Sequence, residues 1–159
     1  MTSEEIQATC LEIIETAPIV YVTSIADDGY PHTRAMFNLR NREMFPRQIP
    51  LFAGHEADFL IYLSTNTSSH KLQQMRDNPK VSLYYCHPSQ FKGVMLLGDI
   101  EIVDSSELRQ ALWNEGWERY YPSGPDDPDH TALRLRPKSA EGWSNARRFE
   151  FQCADCEAA

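Results

Sequence analysis

The chain has 159 residues, of which 42% are hydrophobic and 24% are charged, and its formal net charge at pH 7 is −8. This length and composition predict one globular domain over residues 1–159 that buries a hydrophobic core of its own. The excess negative charge argues against nucleic acids and anionic membranes as partners, since neither would be attracted to the protein. No apolar run approaches the roughly 20 residues that a membrane-spanning helix requires.

The first predicted element is an amphipathic helix within residues 1–17. Thr2 and Glu5 have the three-residue spacing of a capping box, and the apolar residues that follow them share one helical face. An acidic, helical N-terminus is unlike the basic and then apolar start of a secretory signal peptide. We therefore expect a cytoplasmic protein whose four cysteines are reduced thiols.

A β-hairpin is predicted next, from two runs of strand-forming residues that flank the turn Ala26–Gly29. The Asp-Gly pair in this turn supplies the backbone conformations that tight hairpin turns require. The second run, residues 30–40, carries Arg34 among apolar neighbours. The segment 41–58 contains two prolines, and the sequence leaves open whether residues 51–54 form a short strand or a loop.

The stretch 64–79 is the strongest candidate for a binding site. It begins where an apolar strand, Phe59–Leu63, ends, and it runs through six polar residues to His70, Lys71 and a predicted helix that closes at Pro79. Free backbone N–H groups at a helix start, hydroxyl donors and a lysine together suit an anion such as phosphate. A simple N-cap is the alternative interpretation, although a cap requires one hydroxyl rather than several.

The rest of the chain is predicted to consist mainly of strands. These are residues 80–87, 91–103, 131–137 and 147–152, with a helix at 105–121 and a turn-rich loop at 122–128. Gly98 inside a strand indicates a bulge or a close backbone approach. Four aromatic residues of the predicted helix are consistent with either a packing face or a wall of a ligand pocket; they are Trp113, Trp117, Tyr120 and Tyr121. Sequential antiparallel strands covered by helices predict a mainly β fold, most economically a closed or partly closed barrel.

Four blocks of the sequence, in order, carry a resemblance to a known family. They are residues 29–31 with 34–36, residues 64–71 with 78–83, residues 98–102, and the aromatic-rich run 113–128 with 133–135 and 140–143. On these residues the chain resembles the FMN-binding split-barrel superfamily of the pyridoxamine 5'-phosphate oxidases. The last block is most similar to the general stress protein branch of that superfamily.

The resemblance implies a six-stranded antiparallel split barrel with covering helices, and a homodimer that binds flavin mononucleotide (FMN) at its interface. A phosphate dianion requires cations and several hydrogen-bond donors, and the matching positions supply them. The cofactor-binding residues implied around this end of the ligand are Arg34, Ser64, Thr65, Ser69, His70 and Lys71.

The flavin ring is implied to lie along the strand that follows Arg34, where Ala35, Met36 and Phe37 would offer backbone groups to its polar atoms. Trp143 is implied to cover the ring from the partner chain. Because the flavin supplies the redox chemistry, the resemblance implies an FMN-dependent oxidoreductase acting on a small substrate, with no side chain assigned as acid or base. The Arg-Leu-His substrate signature of the oxidases is absent from the C-terminal part, which separates the chain from true pyridoxamine phosphate oxidases.

Three alternatives stay open on the sequence. The first is a flavin carrier or stress sensor without turnover, and the other two are relatives that hold haem or a deazaflavin in the same cleft. Cys153 and Cys156 form a CxxC pair in a C-terminal tail, 153–159, that is predicted to fray; without a second such pair they favour no metal site. His32 and His55 are candidate proton donors.

Overall fold

The computed structural model describes residues 1–153, which form three α-helices and eight antiparallel strands. The α-helices are α1 (Ser3–Thr16), α2 (His70–Asp77) and α3 (Ser106–Leu112). The strands are β1 (Ile19–Ile25), β2 (Pro31–Phe37), β3 (Ile61–Asn66), β4 (Lys80–His87), β5 (Lys92–Val103), β6 (His130–Leu135), β7 (Ser139–Ser144) and β8 (Arg147–Gln152). Short 3-10 turns occupy Pro46–Phe52, Pro88–Gln90 and Trp117–Arg119. Within this part of the chain, no helix is long and apolar enough to cross a membrane.

The strands form a curled sheet. Six of the described strands follow one path, β2-β1-β4-β5-β6-β3, while β7 adds to β5 and β8 pairs with β7. The two ends of the path, β2 and β3, lie beside each other without forming a ladder. The predicted mainly β split barrel is thus confirmed, and β7 and β8 extend it beyond the six strands expected.

Strand β5 belongs to both halves of the barrel. Residues 92–99 pair with β4, and residues 93–97 also pair with β7, whereas residues 100–103 pair with β6. Gly98 lies where the partners change, and a Cβ there would come within 2.9 Å of Leu135 Cδ1 and 3.2 Å of the Arg136 carbonyl oxygen. The close backbone approach predicted at this glycine is therefore confirmed.

The barrel encloses the larger of two hydrophobic clusters, and α1 packs against β4 and β5 to cover it. Three fully buried side chains of the helix, those of Cys10, Ile13 and Ile14, enter this cluster. The predicted capping box is confirmed, since the Glu5 N–H donates to Thr2 Oγ1 at 3.2 Å and the Thr2 N–H donates to Glu5 Oε2 at 2.7 Å. Sequence pattern and cap thus agree on where this helix begins.

The second cluster gathers residues of α3, β6 and the segments around them. Its members are Leu39, Phe45, Leu112, Trp113, Trp117, Tyr121 and Ala132. The predicted helix at 105–121 is wrong in extent, because α3 ends at Leu112 and Gly116 adopts φ +87 before the turn Trp117–Arg119. Glycine adopts this left-handed conformation without steric cost. The aromatic residues therefore come from several short segments rather than from one helical face.

The structure also tests the local predictions for the hairpin, for residues 51–54 and for the segment around Trp143. The hairpin of β1 and β2 is confirmed, with Ile19 opposite Phe37 at its open end. The sequence left open whether residues 51–54 form a strand or a loop. They form no strand, since this segment begins within the 3-10 turn Pro46–Phe52. The segment around Trp143, which separates the predicted strands 131–137 and 147–152, is itself strand β7 and pairs with β5.

A buried arginine ties together the long connection between β2 and β3. Arg40 is 2% exposed; its Nη1 donates to the Leu60 carbonyl oxygen at 2.8 Å and its Nη2 to that of His55 at 2.8 Å. Its guanidinium carbon lies 4.9 Å from the centroid of the Phe52 ring, and its Nε lies 3.9 Å from Glu15 Oε1. One side chain thus joins the start, the middle and the end of this connection.

Replacing Arg40 by Met is expected to lower the free energy of unfolding by about 2–4 kcal/mol, because one buried and one partly buried carbonyl oxygen lose charged donors. Urea unfolding followed by tryptophan fluorescence measures this change. Arg42→Met is the matched control, since Arg42 reaches the same Glu15 oxygen at 3.7 Å with 56% of its side chain exposed. The control should cost less than about 1 kcal/mol, and equal losses in the two variants would contradict an anchoring role for Arg40.

Candidate functional site

A cleft of about 380 Å³ opens between the two end strands, β2 and β3, beside the start of α2. Its size lies within the range of small-molecule sites, roughly 300–1,000 Å³. Each of the two strands has one edge without a strand partner in the described sheet. The lining residues are Ile19, Ala35, Met36, Phe37, Ser64, Thr65, Asn66, Lys71, Trp117, Tyr120 and Tyr121.

Lys71 lines the cleft, and a second cation, Arg34, lies outside the lining but close enough to act on the charge of Lys71. Arg34 on β2 donates from Nη1 to Ser24 Oγ at 2.7 Å and from Nη2 to Gln74 Oε1 at 3.2 Å, so uncharged partners on β1 and α2 hold its guanidinium. Lys71 lies in the first turn of α2. Burial and the charge of Arg34 lower the pKa of Lys71, and burial lowers the pKa of Arg34.

The positive charge of this pair is not balanced by the protein. Within residues 1–153 neither Arg34 nor Lys71 forms an ion pair with a carboxylate. Two neighbouring, partly buried cations disfavour each other's charged form, and the positive end of the α2 dipole adds to the same field. An anion bound here would relieve this repulsion, so the arrangement suits an anionic ligand group.

Two buried hydroxyl groups near these cations have no hydrogen-bond partner in the described part of the chain. They are Thr65 Oγ1 on β3 and Ser69 Oγ at the N-cap of α2. The Ser69 side chain does not cap the helix, in contrast to the simpler interpretation of this stretch. Buried polar groups are nearly always hydrogen-bonded, and an unpaired one costs about 1–3 kcal/mol. A ligand with acceptor atoms would satisfy both hydroxyls.

The structure brings most of the predicted binding residues to this one cleft. Six of them line it, namely Ala35, Met36, Phe37, Ser64, Thr65 and Lys71. The side chain of His70 is exposed and makes no hydrogen bond or ion pair with the described residues. Trp143 lies on β7, outside the lining of the cleft, and is 50% exposed. The roles of all these residues in cofactor binding stay predictions.

Aromatic side chains form another part of the cleft wall. Trp117, Tyr120 and Tyr121 line it, and Phe37 stacks on Trp117 with ring centroids 5.8 Å apart and 15° between the planes. Trp113, Trp117 and Tyr121 also belong to the second hydrophobic cluster. The two interpretations left open on the sequence, a packing face and a pocket wall, therefore both apply.

His130, which no pattern in the sequence marks as a site residue, is 4% exposed and adjoins the cleft wall from β6. Its Nε2 lies 3.0 Å from Ser64 Oγ and its Nδ1 lies 2.6 Å from the Pro125 carbonyl oxygen. Its ring centroid is 4.3 Å from that of Tyr121, and burial lowers its pKa. No local spacing signals this contact, because 66 positions separate Ser64 from His130.

Other candidates from the sequence lie away from the cleft lining. His32 Nδ1 is 3.1 Å from Gln74 Nε2, and His55 Nδ1 is 2.7 Å from Asp58 Oδ2. Cys153 is buried, and burial raises the pKa of its thiol to about 11. Its predicted partner Cys156 and the rest of the C-terminal tail lie outside the described residues.

Comparisons with known proteins relate nearly the whole chain to one family. The family model for pyridoxamine 5'-phosphate oxidase matches residues 6–144. General stress protein 26 of Bacillus subtilis (strain 168) is 23% identical over 141 residues, which cover 87% of this chain and 88% of the relative. The crystal structure of a protein related to general stress protein 26 from Clostridium acetobutylicum has a TM-score of 0.75 and 31% identity, covering 95% of this chain and 96% of that one.

Two more distant structures share the fold. A pyridoxamine 5'-phosphate oxidase-related, FMN-binding protein from Nostoc punctiforme has a TM-score of 0.64 and 15% identity, covering 96% of this chain and 90% of that one. A haem-binding protein from Mycobacterium smegmatis has a TM-score of 0.64 and 14% identity, covering 96% of this chain and 59% of that one. Proteins of this architecture thus include binders of either cofactor.

The free energy of unfolding is expected to fall as the pH is lowered through about 6.5, because of His130. Burial favours the neutral imidazole in the folded protein, whereas the unfolded chain takes up a proton near the ordinary histidine pKa. The unfolded state therefore binds more protons below that pH, so stability should rise with pH and level off above it. Urea unfolding from about pH 5 to pH 8 measures the slope. His130→Phe should flatten it, and an unchanged slope would contradict this assignment.

Proposed function

The chain belongs to the pyridoxamine 5'-phosphate oxidase family, and on that basis we propose that it is a flavoprotein that binds FMN in the cleft between β2 and β3. One observation supports the proposal most directly: Lys71, which has no carboxylate partner in the described residues, and Thr65 Oγ1, which is buried and unpaired, both line this cleft. A second cation, Arg34, lies close enough to Lys71 to lower its pKa, and a second unpaired hydroxyl, Ser69 Oγ, lies at the N-cap of the helix that carries Lys71. A phosphate dianion fits this set, because it accepts several hydrogen bonds and balances both positive charges.

The lining of the cleft suits the two ends of FMN. Lys71 and Arg34 would neutralise the phosphate, and Thr65 and Ser69 would donate hydrogen bonds to it. The neighbouring β2 residues and the aromatic wall give the cleft an apolar part that suits a planar ring. The cofactor-binding set proposed here is Arg34, Ala35, Met36, Phe37, Ser64, Thr65, Ser69, His70, Lys71 and Trp143.

The outer face of the sheet supports a homodimer. Ala35, Tyr21, Tyr84 and Met95 are opposite one another across β2, β1, β4 and β5, so their side chains point to the same side. Ala35 and Tyr21 are exposed and Tyr84 and Met95 are half-buried, and a contiguous apolar face that stays open to solvent is typical of a protein interface. Ala35 and Phe37 belong both to this face and to the cleft lining. We propose that a second copy covers the face and closes the cleft.

Bound FMN would supply electron or hydride transfer, and the residues of this chain would bind it, orient it and limit the access of water. We propose an oxidoreductase that passes electrons between the flavin and a small molecule. Anaerobic reduction of the loaded protein by reduced nicotinamide nucleotides, followed by reoxidation with candidate acceptors, distinguishes turnover from a carrier role. The free thiols Cys10, Cys86 and Cys153 agree with the cytoplasmic location that belongs to this proposal.

The contacts of His130 make it a poor axial ligand for haem. A histidine holds a haem iron through a ring nitrogen with a free lone pair. His130 is the described histidine that bonds to a residue lining the cleft, and hydrogen bonds occupy both of its ring nitrogens. Serving as an axial ligand would require the loss of one of these bonds.

Lys71→Ala is expected to weaken FMN binding by about 10- to 100-fold, because a charged hydrogen bond to phosphate contributes roughly 1.5–3 kcal/mol. Titration of the protein against FMN, followed by the quenching of flavin fluorescence, measures the affinity. Riboflavin, which lacks the phosphate, should bind the variant and the unchanged protein equally well.

Lys80→Ala is the matched control for this titration. Lys80 is a lysine with 76% of its side chain exposed, and it lies 4.0 Å from Asp99 rather than in the cleft lining. Its replacement should leave both affinities unchanged. An unchanged protein that binds no FMN would refute the proposed function, whereas full FMN affinity in Lys71→Ala would place the phosphate elsewhere.

Tyr21→Arg is expected to shift the protein from dimer to monomer, because it buries a charge in the apolar face proposed to pair. Sedimentation velocity over a range of concentrations measures the distribution. Phe91→Arg is the control, since Phe91 is a large apolar residue that is 80% exposed in the turn between β4 and β5. A monomeric unchanged protein, or dimers in both variants, would contradict this interface.

A further inference from the structure

Ser64 and His130 form a hydrogen-bonded pair in the wall of the cleft. Ser64 lines the cleft on β3, and its Oγ lies 3.0 Å from His130 Nε2. The other ring nitrogen, Nδ1, lies 2.6 Å from the Pro125 carbonyl oxygen. Three aromatic rings surround the imidazole at centroid distances of 4.3 to 6.4 Å, those of Trp113, Trp117 and Tyr121. This packing holds the imidazole in one orientation.

The chemistry of the partners sets the direction of both hydrogen bonds. A backbone carbonyl oxygen only accepts, so Nδ1 of His130 carries a proton and donates it to Pro125. The ring is neutral near pH 7, because burial lowers the pKa of His130. Nε2 of this tautomer has a lone pair and accepts the hydroxyl hydrogen of Ser64. Ser64 therefore has no hydrogen left to donate to a ligand.

Neighbouring positions on β3 offer different groups to the cleft. Thr65 Oγ1 has no partner among residues 1–153, so its hydrogen is available. Asn66 uses its side-chain NH₂ on Asp129 Oδ2 at 2.7 Å and on the Tyr120 carbonyl oxygen at 3.3 Å, which leaves its Oδ1 as an acceptor. The wall thus offers a donor at Thr65 and acceptors at Ser64 and Asn66.

We propose that the Ser64–His130 pair determines ligand specificity: it presents a fixed hydrogen-bond acceptor and selects a ligand that donates a hydrogen bond there while its anion lies near Arg34 and Lys71. This inference rests on the proposed binding of FMN, whose ribityl hydroxyls and ring N–H group are such donors. Ser64 contacts the ligand, and His130 is a positioning residue that acts through it. A ligand with only acceptors at this point would bring lone pairs together and be rejected.

The direction of the bonds is testable in the full chain without a ligand. Long-range ¹H–¹⁵N NMR spectra near pH 7 should show His130 as the neutral, Nδ1-protonated tautomer, assigned by the loss of its signals in His130→Phe. Ser64→Ala should shift the Nε2 resonance and leave Nδ1 protonated. A ring protonated at Nε2 would overturn the proposal whether or not the protein binds FMN.

FMN affinity tests the consequence for the ligand. Ser64→Ala should weaken binding by about 5- to 10-fold and His130→Phe by a smaller factor, and the double variant should bind as Ser64→Ala does. Ser64→Thr keeps the hydroxyl on the strand and should stay within about twofold of the unchanged protein. The proposal would be overturned if the losses of FMN affinity in the two single variants added up in the double variant, or if Ser64→Ala kept full affinity.

Analogues of FMN identify the donor. N3-methyl FMN and analogues that each lack one ribityl hydroxyl remove the donors one at a time. One of them should bind the unchanged protein more weakly than FMN does, and should bind Ser64→Ala with the same affinity as the unchanged protein. If every analogue loses the same factor in Ser64→Ala as FMN itself, no donor pairs with Ser64 and the proposal fails.

His87→Phe is the matched control, because His87 bonds to Thr16 Oγ1 at 2.7 Å and does not belong to the cleft lining. It should leave FMN affinity unchanged. Absence of FMN binding by the unchanged protein would contradict the proposed function, and the NMR experiment would still decide the direction of the pair. FMN binding that depends on Lys71 but not on Ser64 would overturn this inference alone.

Discussion

The shape of the cleft depends on the change of partners along β5. Residues 92–99 pair with β4 and residues 100–103 pair with β6, and β6 in turn pairs with β3. The end of β6 lies close to this junction, since a Cβ at Gly98 would come within 2.9 Å of Leu135 Cδ1 and 3.2 Å of the Arg136 carbonyl oxygen, and the absence of a side chain leaves room for it. The position of β3 relative to β2 follows from that junction. If β5 kept one pair of partners throughout, β2 and β3 would not meet at a common opening.

The local charge at the cleft is opposite in sign to the net charge of the chain. The chain carries a formal net charge of −8, yet within residues 1–153 no carboxylate pairs with Arg34 or Lys71. Burial without a counter-ion disfavours both charges, and the unpaired hydroxyls of Thr65 and Ser69 add to this cost. Unpaired charges and unpaired hydroxyls are expected where a protein binds a ligand, and the hydrophobic core of the barrel offsets their cost in stability.

Local features of the sequence predicted more of this molecule than long-range ones did. The capping box at Thr2, the hairpin turn before β2 and the polar run into α2 are each determined within a few residues, and each leads to the expected element. The helix predicted at 105–121 is wrong in extent, because the backbone becomes extended at Trp113 and left-handed at Gly116, where aromatic spacing alone suggests continuity. Local spacing could not predict the pair of Ser64 and His130, because 66 positions separate the two residues and only the register of β3 and β6 brings them together.

The double membership of β2 has a thermodynamic consequence. Ala35 and Phe37 lie both on the apolar face and in the lining of the cleft. A ligand in the cleft therefore changes the surface that a second copy contacts, and a second copy changes the surface that the ligand contacts. Two equilibria that share residues in this way are linked, and the coupling free energy is the same in both directions. A molecule that binds better when a second copy is present must tighten the association of the two copies by the same factor. Retention of a ligand would then depend on protein concentration as well as on ligand concentration.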